Sequence, residues 1–135
     1  MKIYNLILLT LLFLGCANNN PTNANESKVV YVTLGDMDYV ADDSLYGNQV
    51  INVNGISQDV MDKGGVLAFI ERPAGNDRSQ RWSQLPQLSL AQENPTYMYL
   101  SHGLGIVRLS YQSSTSIKDA IEYSKDKRLK LVIFE

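Results

Sequence analysis

Apolar and polar residues alternate with a period of two through much of the chain after residue 27. In the segment 106–111 the side chains of Val107, Leu109 and Tyr111 lie on one side, and the polar Arg108 and Ser110 separate them. A period of two places successive side chains on opposite faces of a strand, as in half-buried antiparallel sheets. Seven segments with this alternation, or with a short β-branched run, are bounded by turn residues. They are 29–34, 50–53, 66–71, 82–85, 96–101, 106–111 and 129–133.

Two segments carry a helical pattern instead. Residues 57–63 form one or two turns, with Ser57 as the N-cap and Gly64 at the end. Residues 117–125 place apolar side chains at helical spacing after Ser116, which we take as the cap. Seven strands with one or two short helical turns predict an all-β domain over 28–135. Its expected architecture is an antiparallel two-sheet β-sandwich.

The N-terminus has a different pattern, because an almost unbroken apolar run at 3–14 follows Met1 and Lys2. At a helical rise of about 1.5 Å per residue this run spans roughly 18 Å, well short of a bilayer core of about 30 Å. That length is typical of the apolar region of a signal peptide rather than of a permanent span. The sequence therefore predicts a lipoprotein signal peptide over 1–15.

Cys16 is the only cysteine of the chain, and it directly follows the small residue Gly15. This junction resembles the bacterial lipobox, although Phe13 stands where that motif usually has Leu, Val or Ile. The resemblance implies that the Cys16 thiol receives a diacylglycerol and that cleavage makes Cys16 the new, palmitate-bearing N-terminus. Stable anchoring requires more than one acyl chain, and a triacylated cysteine meets that requirement. The alternative is cleavage of an ordinary signal peptide within 17–24.

Residues 17–27 are rich in Asn and contain no large apolar side chain. Such a segment buries too little apolar surface to offset the entropy of ordering, so we predict a disordered tether over 16–27. The formal net charge of −2 offers no attraction to anionic lipid, and the acyl chains are expected to hold the protein at the membrane. The predicted location is the cell envelope, in the outer membrane of a Gram-negative bacterium.

Composition excludes several classes of function. An apolar fraction of 44% is too high for an intrinsically disordered chain. Lysine and arginine are not in excess over the acidic residues, so we expect no nucleic-acid partner. One cysteine and one histidine leave too few ligands for a protein-derived zinc site, and no cofactor is predicted.

Several motifs follow one another from Asp59 onward. They are DVMDKGGVLAF at 59–69, WSQLP at 82–86, the Tyr97-Met98-Tyr99 strand, the glycine turn before 106–109, and KLVI at 130–133. Their order resembles a small domain of Bacteroidota lipoproteins and of the C-termini of collagen-like proteins from the same bacteria. The resemblance implies a β-sandwich with no assigned activity, so it transfers no catalytic residue. The chain departs from the pattern at 117–125, and it lacks a Gly-X-Y repeat.

Trp82 is the best candidate for a binding residue, since an indole face stacks on sugar rings or cations. Arginine and glutamine side chains beside it offer hydrogen-bond donors, and two tyrosines alternate onto one strand face. The predicted binding set is Trp82, Arg78, Arg81, Gln84, Tyr97 and Tyr99. A lone tryptophan more often packs in or over the core, and the tyrosines could equally face the opposite sheet, so these interpretations remain open.

Two further groups contain residue types that can bind metal ions or act in catalysis. The densest carboxylate cluster, a weak calcium candidate, consists of Asp36, Asp38, Asp42 and Asp43. Its spacing fails the EF-hand template, and the alternative is a solvated loop whose charge opposes edge-to-edge pairing. His102 falls between two predicted strands and is expected in a hairpin turn. No Gly-x-Ser-x-Gly elbow accompanies it, so no catalytic residue is predicted.

These features lead to two expectations about function. The first is a membrane-anchored cell-envelope lipoprotein that acts as a non-enzymatic binding or structural module, with a glycan or an envelope protein as its partner. The alternative is a small envelope hydrolase or hydrolase inhibitor that uses a loop to form or occupy a cleft. An enzyme would gather titratable groups in a pocket, whereas a binding module would present an exposed apolar patch or a flat polar face.

Overall fold

The computed structural model describes residues 27–89 and 93–135. The predicted signal peptide at 1–15, Cys16 and nearly all of the predicted tether at 16–27 lie outside these residues. The elements within them are β1 (Lys28–Thr33), β2 (Tyr39–Val40), β3 (Tyr46–Asn52), α1 (Gln58–Lys63), β4 (Gly65–Arg72), β5 (Arg81–Gln84), β6 (Gln87–Ser89), β7 (Thr96–Gly103), β8 (Ile106–Ser113), α2 (Lys118–Ser124) and β9 (Arg128–Phe134).

The strands form two antiparallel sheets that enclose one core. The four-stranded sheet has the order β1-β9-β4-β5, and the five-stranded sheet has the order β2-β3-β8-β7-β6. Consecutive strands often belong to different sheets, so the chain crosses between the layers after β1, β3, β5 and β8. The predicted all-β fold with two antiparallel sheets is confirmed.

The core lies between the sheets and is built from alternate residues of the facing strands. In β9 the buried side chains are Leu129, Leu131 and Ile133, and in β8 they are Val107, Leu109 and Tyr111. Each large apolar side chain buried in this way contributes about 1.5–3 kcal/mol. The period-two prediction is confirmed for both strands, because their polar residues occupy the outward positions.

Both predicted helices form at the expected places. Ser57 Oγ accepts a hydrogen bond from the Val60 backbone N–H at 3.3 Å, and α1 ends before Gly64 as predicted. Helix α2 lies within the predicted segment, but its N-cap is Ile117 rather than Ser116. Ser116, one residue before that N-cap, still accepts a hydrogen bond through its Oγ from the Lys118 backbone N–H at 3.2 Å.

The structure differs from the strand prediction in two details. About seven strands were expected, and the described residues form nine; the two additional strands, β2 and β6, are only two and three residues long. The predicted hairpin turn at His102 is also displaced, since β7 continues to Gly103 and His102 pairs with Val107. The turn falls at Leu104-Gly105, where the φ of +71° at Gly105 is a conformation that glycine adopts without strain.

Candidate binding surfaces

Trp82 lies on the outer face of the four-stranded sheet, outside the core. Ile70 of β4 is fully buried, so the next residue, Glu71, points outward, and Trp82 pairs directly with Glu71. The Trp82 ring packs against the Tyr31 ring, with centroids 5.7 Å apart and planes inclined by 47°. Neighbours on this face leave the indole half-buried. Trp82 therefore does not lie between the two sheets, and its binding role remains a prediction.

Two cationic side chains from β9 lie against the Trp82 ring. The Arg128 guanidinium carbon is 5.5 Å from the ring centroid, and Lys130 Nζ is 5.0 Å from it. Lys130 Nζ also lies 4.4 Å from the centroid of the Phe69 ring. Each such cation–π contact contributes about 0.5–1 kcal/mol at an exposed site. Arg128 and Lys130 were not among the predicted binding residues, yet they share the surface of Trp82.

An ion pair borders the indole on the same face. Glu71 accepts hydrogen bonds from Arg128 Nη2 at 2.8 Å, from the Arg128 backbone N–H at 3.0 Å and from Gln80 Nε2 at 2.6 Å. The hydrogen bonds from Arg128 hold the pKa of the Glu71 carboxyl below its ordinary value, although desolvation acts in the opposite direction. Arg128 is thus neutralised locally, whereas Lys130 belongs to none of the ion pairs formed by the described residues.

We call this surface the Trp82 face. Its outward side chains are Val29, Tyr31, Leu67, Phe69, Glu71, Trp82, Arg128, Lys130, Val132 and Phe134. Several of the large apolar members are open to solvent, with exposed fractions of 49% for Val29, 56% for Tyr31 and 41% for Leu67. Gln84, a predicted binding residue, pairs with Phe69 and joins the rim of this face.

An open pocket of about 410 Å³ lies beside Trp82 at the free edge of β5. Its lining residues are Arg72, Arg81, Trp82 and Ser83. Arg72 reaches between the two sheets, where its Nε donates to Ser83 Oγ at 3.0 Å and its Nη1 donates to Tyr123 Oη at 3.0 Å. Its Nη2 donates to Gln87 Oε1 at 3.4 Å. One guanidinium therefore joins β4, β5, β6 and α2.

Positive charge surrounds Tyr123 behind this pocket. Lys127 Nζ lies 2.7 Å from the Tyr123 ring centroid, and the Arg72 guanidinium carbon lies 5.6 Å from it. Burial raises the pKa of the Tyr123 hydroxyl, but the charges of Lys127 and Arg72 outweigh burial and the net shift is downward. Burial also lowers the pKa of the Lys127 ammonium.

Tyr97 and Tyr99 lie on the other side of the sandwich, on the outer face of the five-stranded sheet. They pair with Gln112 and Ser110, and their rings stack with centroids 5.4 Å apart and planes inclined by 29°. The structure therefore divides the predicted binding set between two opposite surfaces. We call the second surface the tyrosine face. Its members are Tyr39, Tyr46, Asn48, Tyr97, Tyr99, Ser110 and Gln112.

Hydrogen bonds connect the polar groups of the tyrosine face. Asn48 Nδ2 donates to Tyr46 Oη at 3.3 Å, and Tyr46 Oη lies 3.5 Å from Ser110 Oγ. The Tyr39 ring packs near the Tyr46 ring, with centroids 6.2 Å apart. Phenol rings thus alternate with amide and hydroxyl groups, which both donate and accept hydrogen bonds.

The remaining predicted arginines are on the periphery of the Trp82 face. Arg78 is exposed in the loop 73–80, where its backbone exchanges hydrogen bonds of 2.9 and 3.3 Å with Gly75. Arg81 pairs with Arg72 at the start of β5 and lines the pocket. The loop 73–80 joins β4 to β5 and leads directly to Trp82, the second residue of β5.

The structure does not assemble the weak calcium candidate. Asp36 accepts from Lys125 Nζ at 2.7 Å, Asp38 from the Val50 backbone N–H at 2.6 Å, and Asp43 from the Leu45 backbone N–H at 3.0 Å. These carboxylates are used separately by turns and by an ion pair. Over residues 27–89 and 93–135, no three acidic, histidine or cysteine side chains converge as metal ligands would.

His102 lines a second open pocket, of about 160 Å³, at the β7–β8 end of the five-stranded sheet. The other lining residues are Ser101, Gly103, Ile106 and Arg108. The described lining of this pocket contains no carboxylate, so the arrangement expected of a Ser-His-Asp hydrolase is not assembled around His102 there.

Comparison of the chain with protein-family models, curated proteins and solved structures finds no match. The resemblance to a domain of Bacteroidota lipoproteins therefore remains a prediction. In the described part of the chain, none of the helices has the length and apolar character needed to cross a bilayer.

Proposed function

We propose that this chain is a lipid-anchored protein of a Gram-negative cell envelope that acts as a non-enzymatic binding module. The apolar leader and the single cysteine after Gly15 support attachment through Cys16. The observation that best supports a binding function is the tyrosine face, an outer surface of phenol rings, amides and hydroxyls on the five-stranded sheet. The proposed partner is a glycan.

The chemistry of the tyrosine face suits a largely uncharged glycan. The exposed fractions of Tyr39 and Tyr97 are 53% and 43%, so their rings are available for stacking on a sugar. Asn48 and Gln112 lie between the tyrosines in the cross-strand register and present amide groups to vicinal hydroxyls. Because most of the platform lies on β3, β8 and β7, which are paired on both sides, a ligand would meet side chains that are already positioned, which lowers the entropic cost of binding.

A glycan array with the purified full-length protein tests this assignment. We expect Tyr97→Ala to weaken binding about fivefold, since a lost aromatic contact costs about 1 kcal/mol. Trp82→Ala is the matched control, because it removes an aromatic ring from the opposite face and is expected to leave binding unchanged. Loss of binding in Trp82→Ala with retention in Tyr97→Ala would contradict the assignment, as would the absence of any bound glycan.

The anchor is tested separately by mass spectrometry of the protein purified from its native membranes. We expect an N-terminal Cys16 that carries acyl chains, and we expect Cys16→Ser to abolish the modification. An unmodified N-terminus elsewhere in the chain would refute the anchor.

A further inference from the structure

The Trp82 face changes in character along the strand direction. Its cross-strand register defines three rows of side chains. The first row is aliphatic and consists of Val29, Val132 and Leu67. The second row is Tyr31, Lys130 and Phe69. The third row contains the ion pair and the indole, Arg128, Glu71 and Trp82. Rows of this kind follow one another at about 7 Å, which is twice the rise per residue of a strand.

The aliphatic row lies at the end of the sheet where the N-terminal segment joins β1. Val29 is the second residue of β1, and Phe134, 36% exposed, lies beside the same row at the end of β9. The stretch from Cys16 to Lys28 reaches at most about 40 Å even when fully extended. If Cys16 carries acyl chains, the aliphatic end of the Trp82 face is therefore held close to a bilayer.

We propose that the Trp82 face docks on the surface of the bilayer that holds the Cys16 acyl chains. The inference rests on the proposed lipid anchor. In a tilted orientation, the order of the rows matches the order of chemistry at a membrane interface. The aliphatic row lies deepest, toward the hydrocarbon, and Tyr31 with a snorkelling Lys130 lies at headgroup level. The row of Trp82 and the Glu71–Arg128 ion pair lies in the outer, hydrated part of the headgroup region.

The opposite side of the sandwich gives the contrast that favours lipid as the occupant of the Trp82 face. The outer face of the five-stranded sheet has single exposed aliphatic side chains, Val50 and Leu88, but among the described residues none of its cross-strand rows is aliphatic throughout. With the Trp82 face on the membrane, the tyrosine face points away from it and is accessible to a glycan. Lys130, outside every ion pair of the described residues, meets lipid phosphates in this orientation.

Trp82 is the only tryptophan of the chain, so its fluorescence reports directly on this face. The lipidated protein is reconstituted in phosphatidylcholine vesicles, with and without lipids that carry a nitroxide on the headgroup. We expect a blue-shifted Trp82 emission that the nitroxide quenches, because docking brings the indole to headgroup level. Since the contact is mainly apolar, we expect the quenching to persist at high salt.

Two matched variants separate docking from simple attachment. Leu67→Asp places a charge in the aliphatic row and is expected to remove most of the quenching, whereas Val50→Asp is expected to retain it. Val50 is the matched control because it is 38% exposed on the opposite face, against 41% for Leu67. Val29→Ser, on the edge strand β1, is a second variant in case Leu67→Asp fails to fold.

The outcomes distinguish the inference from the proposed function. Lipid on Cys16 with equally weak quenching in the parent and Leu67→Asp would overturn docking and leave the anchor intact. An unmodified Cys16 would overturn both. A blue shift that depends on protein concentration and resists the nitroxide would show that a second copy covers the face, which also overturns docking on lipid.

Discussion

The two outer faces of this sandwich share one strand pattern but differ in chemistry. On the five-stranded sheet most outward positions carry phenols, amides and hydroxyls, and hydrogen bonds join Asn48, Tyr46 and Ser110. On the four-stranded sheet they carry aliphatic side chains and aromatic rings against which Arg128 and Lys130 pack. The first surface provides hydrogen bonding to a ligand, and the second provides apolar contact area with a few positive charges.

The comparison shows which residues the fold requires and which residues it leaves free to vary. The inward residues of both sheets are of the same kind, mostly Leu, Ile and Val, because they fill one shared core. The outward residues are not constrained by that core, so large apolar groups such as Leu67 and Tyr31 are not needed there for folding. Within the described residues, a complete aliphatic row (Val29, Val132 and Leu67) occurs on the four-stranded sheet alone, and this row indicates a second contact surface.

The largest expected effect comes from a substitution beneath both faces. Leu131 is fully buried in β9, between Val30 and Ala68. Leu131→Ala should lower the free energy of unfolding by about 2–5 kcal/mol, because it removes apolar contacts and leaves a cavity. Val132→Ala, one residue further on the Trp82 face, should cost about 1 kcal/mol or less. Urea unfolding of both variants measures the difference, and equal losses would refute the division into core and face.

The second-largest expected effect is on the pH dependence of stability and concerns Tyr111. This residue points into the core, whereas the tyrosines of the tyrosine face point outward. Its Oη lies 2.8 Å from Ser124 Oγ, and burial raises its pKa from 10.0 to about 12. The unfolded chain therefore loses this proton near pH 10, and the folded protein only near pH 12. Stability is fully present below pH 10 and falls between these values, by about 2–3 kcal/mol.

Tyr111→Phe should remove this alkaline loss, at a cost of about 1 kcal/mol at neutral pH for the missing hydrogen bond. The measurement is the free energy of unfolding from pH 8 to pH 12 for the variant and its parent. Tyr123 contributes with the opposite sign in this range, so the difference between the two proteins is the informative quantity. Tyr97→Phe, which removes an exposed hydroxyl from the tyrosine face, is the matched control, and equal effects of the two variants would contradict the role of burial at Tyr111.

A smaller loss is expected where the two sheets are joined. Arg72 donates to Ser83 on the four-stranded sheet and to Gln87 on the five-stranded sheet. Arg72→Met keeps the length of the side chain and removes these hydrogen bonds, at an expected cost of about 1–2 kcal/mol. The pKa of Tyr123 should rise in the variant, because one of its two neighbouring cations is lost. A spectrophotometric titration that leaves the Tyr123 pKa unchanged would contradict the proposed role of Arg72.

The fold was largely predictable because its central strands alternate regularly. The segments that became β8 and β9 show a period of two, and Ser57 marks the start of α1. Strands β2 and β6 were missed, since two or three residues are too short to display a period. The hairpin turn was expected at His102, but it lies at Leu104-Gly105. Gly105 adopts the positive φ that this turn requires.

The binding surfaces were less predictable, because the sequence does not show which sheet each strand joins. The chain leaves the four-stranded sheet after Gln84 and enters the five-stranded sheet at Gln87. Trp82 and Tyr97 therefore lie on opposite sides, although they are close in sequence. Conversely, Lys130 contacts the Trp82 ring across a large sequence separation, since β9 pairs with β4. Its outward position in β9 was evident from the alternation, but its neighbours were not.

The smallest expected effect lies within the Trp82 face, at the exposed ion pair of Glu71 and Arg128. Hydrogen bonds from Arg128 lower the pKa of Glu71 from its ordinary value of 4.5. The pair therefore stabilises the fold at pH values above 4.5, and this contribution disappears as the pH falls through the lowered value. Glu71→Gln should remove that acid-dependent part and change stability at neutral pH only slightly.

Glu71→Gln also tests whether the ion pair holds Arg128 against the indole. Arg128 lies 5.5 Å from the Trp82 ring centroid, so its release should alter the emission of Trp82 in solution. Asp59→Gln is the control, because it removes an exposed ion pair with Lys63 in α1, away from the indole. Unfolding curves at pH 7 and pH 3, recorded with Trp82 emission, measure both effects. Equal changes of emission in the two variants would mean that Glu71 does not position Arg128 on the Trp82 face.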